Sequence, residues 1–306
     1  MRLITRSDFD GLVCGVLLKE TERIDAIDFV HPKDVQDGKI AAGPDAILTN
    51  LPYVPGVGLW FDHHSSEAER NDVEGVAFNG RFEVAPSAAR VVYNYYRDKG
   101  EGEKLARYES LLIAVDKSDS ANLTMEEVTN PSGWILLSYV MDPRTGLAYH
   151  HGYSISNREL MMKLVDWMSR LDVEEILQMP DVKERVDRYF QNAGAFRSVM
   201  SERSHAEGNV IVTDLRGAGD LPPGNRFLIY TMFPETNIQV RVFDGKKGEF
   251  VVCAVGHSIF NRTSKTDVGA LMSEYGGGGY RGAGTCQLPL AGAEEKVREI
   301  VERCKD

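Results

Sequence analysis

The stretch MRLITRSDFDGLVCGVLLKE, Met1 to Glu20, changes character twice. A short apolar run, MRLIT, stops at the acidic RSDFDG, after which LVCGVLLKE resumes with apolar residues at helical spacing. Period-two and period-3.6 patterns joined by a polar turn predict strand, acidic loop, helix, the opening of an α/β unit. Three further strands are expected in AIDFVHP (26–32), DAILTNLP (45–52) and GLWFDHH (58–64), each ending in polar or turn residues. In a parallel α/β sheet, ligands collect beyond the carboxyl ends of the strands. Asp8, Asp10, Asn50, Asp62, His63 and His64 are therefore expected to converge on one crevice.

The remaining pattern divides the chain. Residues 85–100, 103–116, 156–171 and 180–204 have helical periodicity, and 120–205 shows no clear strand, so a helical extension of the first domain is expected. From about residue 208 the chain becomes strand-rich, in GNVIVTDL, RFLIYTMF, NIQVRVFDG and FVVCAVGHS. A helix near 267–275, the run GGGGYRGAG (276–284) and a terminal helix AEEKVREIVERCK follow. The expected fold class is α/β: a parallel-sheet domain over 1–200 and a smaller α+β domain over 208–306, with the boundary near 195–208.

Composition narrows the function. The chain has 306 residues, 42% of them hydrophobic, enough to bury a sizeable core. A net charge of −11 repels extended polyanions, so long duplex nucleic acid is a poor partner, whereas a short anion held by local charge is acceptable. Cys14, Cys253, Cys286 and Cys304 are widely spaced without a CxxC pair, which fits a reducing cytoplasm rather than a disulfide framework or zinc knuckle. The N-terminal segment turns acidic before a secretory apolar region could form, and no membrane span is expected. A cytoplasmic protein is the expectation.

Two motifs carry chemistry. SDFDG sets two carboxylates two residues apart after a strand, where a loop can present both to one hard cation; either could equally cap the following helix. In FDHH, one imidazole can ligate a metal, the next can face a phosphate, and Asp62 can orient a ring through its second nitrogen; a surface turn is the plain alternative. YHHGY (149–153) holds a second histidine pair without nearby carboxylates, and a structural role is expected there. Cys14 is expected to pack in the core. There is no P-loop and no GxSxG elbow.

SDFDG, TNLP (49–52), FDHH (61–64), AVDKSDS (114–120) and GGGGYRGAG, in that order, resemble the DHH/DHHA1 phosphoesterase superfamily. That superfamily includes oligonucleotide and pAp phosphatases, cyclic-dinucleotide phosphodiesterases and exopolyphosphatases. The resemblance covers both domains. It implies a metal-binding DHH-like domain facing a DHHA1-like substrate-binding domain across a cleft, with one or two Mn²⁺ or Mg²⁺ ions. By position, Asp8, Asp10, Asn50, His63 and Asp116 match the metal ligands, with Asp119 a rival for the last place. His64 matches the histidine facing the substrate phosphate, and Asp62 supports the pair. In FNRTSKTDVGALM (260–272), Arg262 matches a phosphate-contacting arginine. His257, Gly277, Gly278, Gly279, Tyr280 and Arg281 would line the substrate, glycines allowing close backbone approach.

The chain departs from the family pattern in three respects. Arg6 and Ile4 stand where many members carry a histidine, Asn50 replaces a bridging carboxylate, and Tyr280 stands where the glycine motif usually has histidine. The first metal place has thereby lost a ligand and about one negative charge, and Arg6, a permanent cation, cannot ligate. One well-formed Mn²⁺ or Mg²⁺ site is expected, with Arg6, near substrate, partly substituting electrostatically for the other ion. The expected function is a metal-dependent phosphohydrolase of a short phosphate ester or anhydride: a short oligonucleotide, pAp, a cyclic dinucleotide or polyphosphate. The alternative is a catalytically weakened nucleotide or phosphate sensor of the same fold. Self-association into a homo-oligomer is compatible with either.

Overall fold

The computed structural model describes residues 1–64 and 77–305. The chain parts into two compact units, Met1–Leu123 with Pro131–Arg188, and Thr124–Asn130 with Tyr189–Asp306. The division thus falls inside the long helix Pro180–Glu202 rather than at 195–208, and Thr124–Asn130 groups with the second unit.

The first unit is built on five parallel strands: β1 (Arg2–Arg6), β2 (Ala26–Val30), β3 (Ala46–Thr49), β4 (Leu59–Asp62) and β5 (Gly80–Phe82), in the order β2-β1-β3-β4-β5. Strands buried on both faces need apolar residues at successive positions, and Leu3, Ile4, Ile47 and Leu48 are fully buried. One face packs Ile4, Leu48 and Trp60 with Val35 and Leu51. On the other, the Leu3 side chain comes within 3.5 Å of where a Cβ on Gly15 of helix α1 (Phe9–Thr21) would lie. The order reverses between β1 and β3, and a doubly wound sheet opens its crevice at that switch point. The first unit is completed by helices α2 (Ala88–Tyr96) and α3 (Glu109–Asp119), and by Gly133–Met141, Asn157–Met168 and Val173–Gln178.

The turn from β1 into α1 is sterically tight. A Cβ at Gly11 would lie 2.1 Å from the Arg6 carbonyl oxygen, which no side chain tolerates without moving the backbone. Gly11→Ala is therefore expected to destabilise the protein by about 1–3 kcal/mol, the usual cost of overpacking, measurable by urea unfolding.

The second unit carries a six-stranded sheet of β6 (Ser204–Glu207), β7 (Val210–Asp214), β8 (Ile238–Asp244), β9 (Phe250–His257), β10 (Gly278–Tyr280) and β11 (Ala283–Pro289), in the order β10-β11-β9-β8-β7-β6. All pairings are antiparallel except β7 with β8. Alternate residues Ile238, Val240 and Val242 face a core closed by helices Val268–Glu274 and Ala293–Arg303, whose Leu271, Ile300 and Val301 are buried.

RFLIYTMF is not the strand its apolar content suggests. It forms the helix Leu228–Met232, started by a turn in which the Phe227 N–H donates to Asn225 Oδ1 at 3.0 Å. A short apolar run cannot separate buried strand from buried helix, and a local polar partner decided it. GGGGYRGAG forms the β10–β11 hairpin: a Cβ on Gly277 would meet the Thr285 carbonyl at 2.1 Å, and one on Gly279 the Ala283 carbonyl at 2.2 Å. Those two glycines are required by strand packing, while Gly278 has open space. Among the described residues, no helix is long and apolar enough to cross a membrane.

Candidate active site

The carboxyl ends of β1, β3 and β4 bring their polar residues to one place in the first unit. Asp8 caps α1, accepting the Gly11 N–H on Oδ1 at 2.9 Å, so the capping expected of the acidic loop is realised. It does more than cap: Oδ1 also accepts Asn50 Nδ2 at 3.2 Å, and Oδ2 pairs with Arg6 Nε at 2.8 Å. Asn50 adopts φ 54°, a left-handed backbone that asparagine tolerates better than most residues, and its amide oxygen is buried without a hydrogen-bond partner.

Asp10 is 2% exposed and lies against the N-terminus of α2, accepting the Ala88 N–H at 2.8 Å and the Ala89 N–H at 2.9 Å. Free helix N–H groups favour an anion, yet burial, followed by the Asp119 and Asp8 charges, pushes the Asp10 carboxyl well above the ordinary range. A nearby positive charge would reverse that balance.

His63 Nδ1 lies 2.9 Å from the Ala85 carbonyl. An N–H there donates to that oxygen and leaves Nε2 as the lone-pair nitrogen, the arrangement that orients metal-bound imidazoles. Nε2 is buried without a hydrogen-bond partner, 3.3 Å from Asp119 Oδ2 and 3.9 Å from Asp10 Oδ2. Donor atoms of Asp10, His63 and Asp119 all lie within 4.8 Å of one another. Partial withdrawal from water, with 26% of the side chain still exposed, followed by the Asp8 charge, raises Asp119 against the opposing pull of His63, His64 and Arg6.

Asp116 is placed differently from the sequence expectation. Its Oδ2 accepts Arg90 Nε at 2.9 Å and Nη2 at 2.5 Å, and its Oδ1 accepts the Ser87 hydroxyl at 2.7 Å. Both residues lie on α3 on nearly the same face, about 4.5 Å apart along its axis, and it is Asp119 that groups with Asp10 and His63. Asp116 is occupied in tying α3 to the start of α2.

Asp62 is fully buried, and its Oδ1 lies 2.8 Å from His64 Nδ1, so it orients the second histidine. Burial opposes the charged imidazole, but the Asp62 hydrogen bond and charge, then Asp119, outweigh it and raise the His64 pKa above the usual histidine value. Sequence reasoning does not single out Arg144. This residue, on the turn Pro143–Thr145, donates from Nε to Asp142 Oδ1 at 2.7 Å. Burial works against its charge, while Asp142, then Asp8 and Asp119, raise its pKa. The DPRTG turn is legible in sequence; its approach to Asp8 and Asp119 is not.

The donor set suits a divalent cation. His63 Nε2 is an acceptor buried without a partner beside Asp10 and Asp119, two carboxylates whose proton affinities are raised, and Asn50 Oδ1 is a second buried acceptor without one, as expected of groups that need a cation. The second unit holds the remaining predicted residues in its own frame. His257 ends β9, its backbone N–H donating to the Gly282 carbonyl and its Nε2 2.9 Å from the Thr266 carbonyl. The exposed Arg262 donates from Nε to the Ile259 carbonyl at 3.0 Å. Tyr280 is 67% exposed at the end of β10, next to Arg281. His150, of the second histidine pair, packs against the Tyr153 ring, and Cys14 is buried.

No family model matches the chain. A solved structure described as a pGpG-specific phosphodiesterase, PggH of Vibrio cholerae, is 43% identical, covers 99% of this chain and 98% of its own, and superposes with a TM-score of 0.86. RecJ of Thermus thermophilus, solved with Mn²⁺, shares 14% identity over 98% of this chain and 51% of its own, at a TM-score of 0.47, too remote to bear on the site. A curated A-adding tRNA nucleotidyltransferase of Aquifex aeolicus (strain VF5) is 23% identical over 244 residues, 79% of this chain. The chain spans 24% of the length of that relative. The ordered motifs, the sheet with its switch point and the likeness to PggH agree, and the chain belongs to the DHH/DHHA1 phosphoesterase superfamily.

Proposed function

We propose that this protein is a metal-dependent phosphodiesterase that hydrolyses pGpG, or a short linear dinucleotide like it, to mononucleotides. The likeness to a pGpG-specific phosphodiesterase at 43% identity over nearly the whole chain carries this reading. The grouping of Asp10, His63 and Asp119 supports it independently. A net charge of −11 suits a substrate with few phosphates.

Asp10, His63 and Asp119, with the Asn50 amide oxygen, would hold Mn²⁺ or Mg²⁺; Asp116, matched by the resemblance, is engaged by Arg90 and Ser87 instead. What such an ion supplies when bound is Lewis acidity toward a phosphoryl oxygen and toward water. The protein's part is positioning and charge. The two α2 amides hold Asp10 in place, and the Ala85 carbonyl fixes the His63 ring. His64, held by Asp62, which raises its pKa, donates a hydrogen bond to a phosphoryl oxygen as charge develops. Arg262 grips substrate phosphate through its fork of donors, and His257, Arg281, Tyr280 and the Gly277–Gly279 backbone line the substrate. The exposed Tyr280 phenol offers both a hydrogen-bond donor and a ring face for a base.

The test is turnover of pGpG against pAp, a cyclic dinucleotide and polyphosphate with Mn²⁺, comparing Asp119→Asn with Asp116→Asn. Mononucleotide release from pGpG in clear preference is expected, with Asp119→Asn costing at least about tenfold more in Mn²⁺ affinity than Asp116→Asn. The reverse order would return Asp116 to the ligand set. Binding of pGpG without turnover would instead support the sensor.

A further inference from the structure

We infer that this centre is built for one divalent ion, and that Arg6 is the permanent cation standing where a second ion would otherwise neutralise Asp8. The inference rests on the metal-dependent reading above for the location of the centre, and its evidence is the unequal satisfaction of the centre's two halves.

In the Asp8 half every requirement of the carboxylate is met from within the chain. Oδ2 has Arg6 Nε at 2.8 Å; Oδ1 has the Gly11 N–H at 2.9 Å and Asn50 Nδ2 at 3.2 Å. Asp8 keeps 18% of its side-chain surface and Arg6 37%, so the pair is shielded on the carboxylate side and partly screened by water on the arginine side. Arginine does not lose its proton at any working pH, so this neutralisation cannot be switched off to admit a metal. A divalent ion on Asp8 would have to displace or face a fixed guanidinium, and two cations at that separation repel.

In the other half, His63 Nε2 is buried without a donor, while Asp10 accepts the Ala88 and Ala89 N–H groups and Asp119 is exposed. His63 Nε2 lies 3.3 Å from Asp119 Oδ2 and 3.9 Å from Asp10 Oδ2 and has no hydrogen-bond partner. The His63 side chain is only 10% exposed, so water satisfies little of this demand. Asn50 presents a donor and an acceptor on opposite sides of its amide. Its N–H₂ must face Asp8, because only a donor can sit against that carboxylate, which leaves its oxygen as the buried acceptor without a partner. A carboxylate at position 50 could accept on both sides and bridge two cations. An amide can serve a guanidinium-compensated carboxylate on one side and a single cation on the other.

Full-length protein loaded with Mn²⁺ and freed of excess metal by gel filtration decides the matter by ICP-MS and EPR. One Mn²⁺ per chain, with the spectrum of an isolated ion, is expected. Two ions per chain, an exchange-coupled pair, or no retained ion would each overturn the inference. Arg6→His with Asn50→Asp, which exchanges the cation for a ligand and the amide for a bridging carboxylate, is expected to raise the count to two. A folded double variant that stays at one ion would overturn the role given to Arg6. If that variant does not fold, Arg6→His alone carries the same expectation of a higher count, and the wild-type spectrum stands as a test without any variant. Turnover of pGpG in the same wild-type samples keeps the two readings apart. One ion without turnover supports the inference and removes the proposed function; turnover with two ions does the opposite.

Discussion

Asp10→Asn is expected to lower kcat for pGpG by at least about 100-fold while the protein stays folded. The substitution removes one negative charge from the group that Asp10, His63 and Asp119 form. It also disturbs how that group is held. Both Asp10 oxygens accept N–H groups at the start of α2, and an asparagine can accept only one of them, turning its own N–H₂ against the other. Its stability consequence is smaller and mixed in sign. One buried hydrogen bond is lost, but a carboxylate crowded by burial, Asp119 and Asp8 is neutralised. The informative measurement is therefore thermal unfolding with and without Mn²⁺. A ligand at 100 times its Kd stabilises a folded protein by about 2.7 kcal/mol, so wild type should melt higher with Mn²⁺ than with EDTA. The variant should lose that difference. An Mn²⁺-dependent rise in Tm that survives Asp10→Asn would place the ion elsewhere.

Trp60→Ala is expected to cost about 3–5 kcal/mol of stability, the usual loss on truncating a fully buried large aromatic. Trp60 sits on β4, is fully buried, and donates from Nε1 to the Leu51 carbonyl at 2.9 Å. Its ring lies between Phe78 at 4.9 Å, Tyr53 at 5.2 Å and Phe82 at 5.7 Å. Truncation leaves a cavity on the sheet face away from α1 and strands a backbone acceptor just after Asn50. Because β4 ends in Asp62 and runs directly into His63 and His64, loosened packing should also reach the site. Urea unfolding followed by far-UV circular dichroism measures the stability loss. A loss below about 1 kcal/mol would mean that the surrounding rings collapse onto the space or that it is filled by water.

The positions of the functional groups along the chain were legible before any coordinates. A strand that stops at RSDFDG, another at TN and a third at FDHH must deliver their last residues to one edge of a parallel sheet, because parallel strands share a direction. Strand content was less legible where elements are short. β5 and β6 have three and four residues, too few for a period to emerge, and β11 follows a glycine run that reads as a loop. RFLIYTMF, helical in the structure, shows the same limit from the other side.

At the level of individual side chains, sequence alone determined which residue types were available and at which strand ends: two aspartates after β1, an asparagine after β3, two histidines after β4, and two aspartates three apart on α3. Tertiary structure alone decided how they divide. Whether Asp116 or Asp119 meets His63 depends on where α3 stops along its axis relative to α2 and β4, which the Arg90 and Ser87 bonds to Asp116 display and no motif spacing encodes. Whether Arg6 stands beside Asp8 depends on where a side chain leaving the end of β1 finds its nearest anion. The physical reason is common to both. Periodicity and turn chemistry act between neighbours in the chain, whereas charge pairing and burial act between neighbours in space, and at this site those neighbours come from elements far apart in sequence.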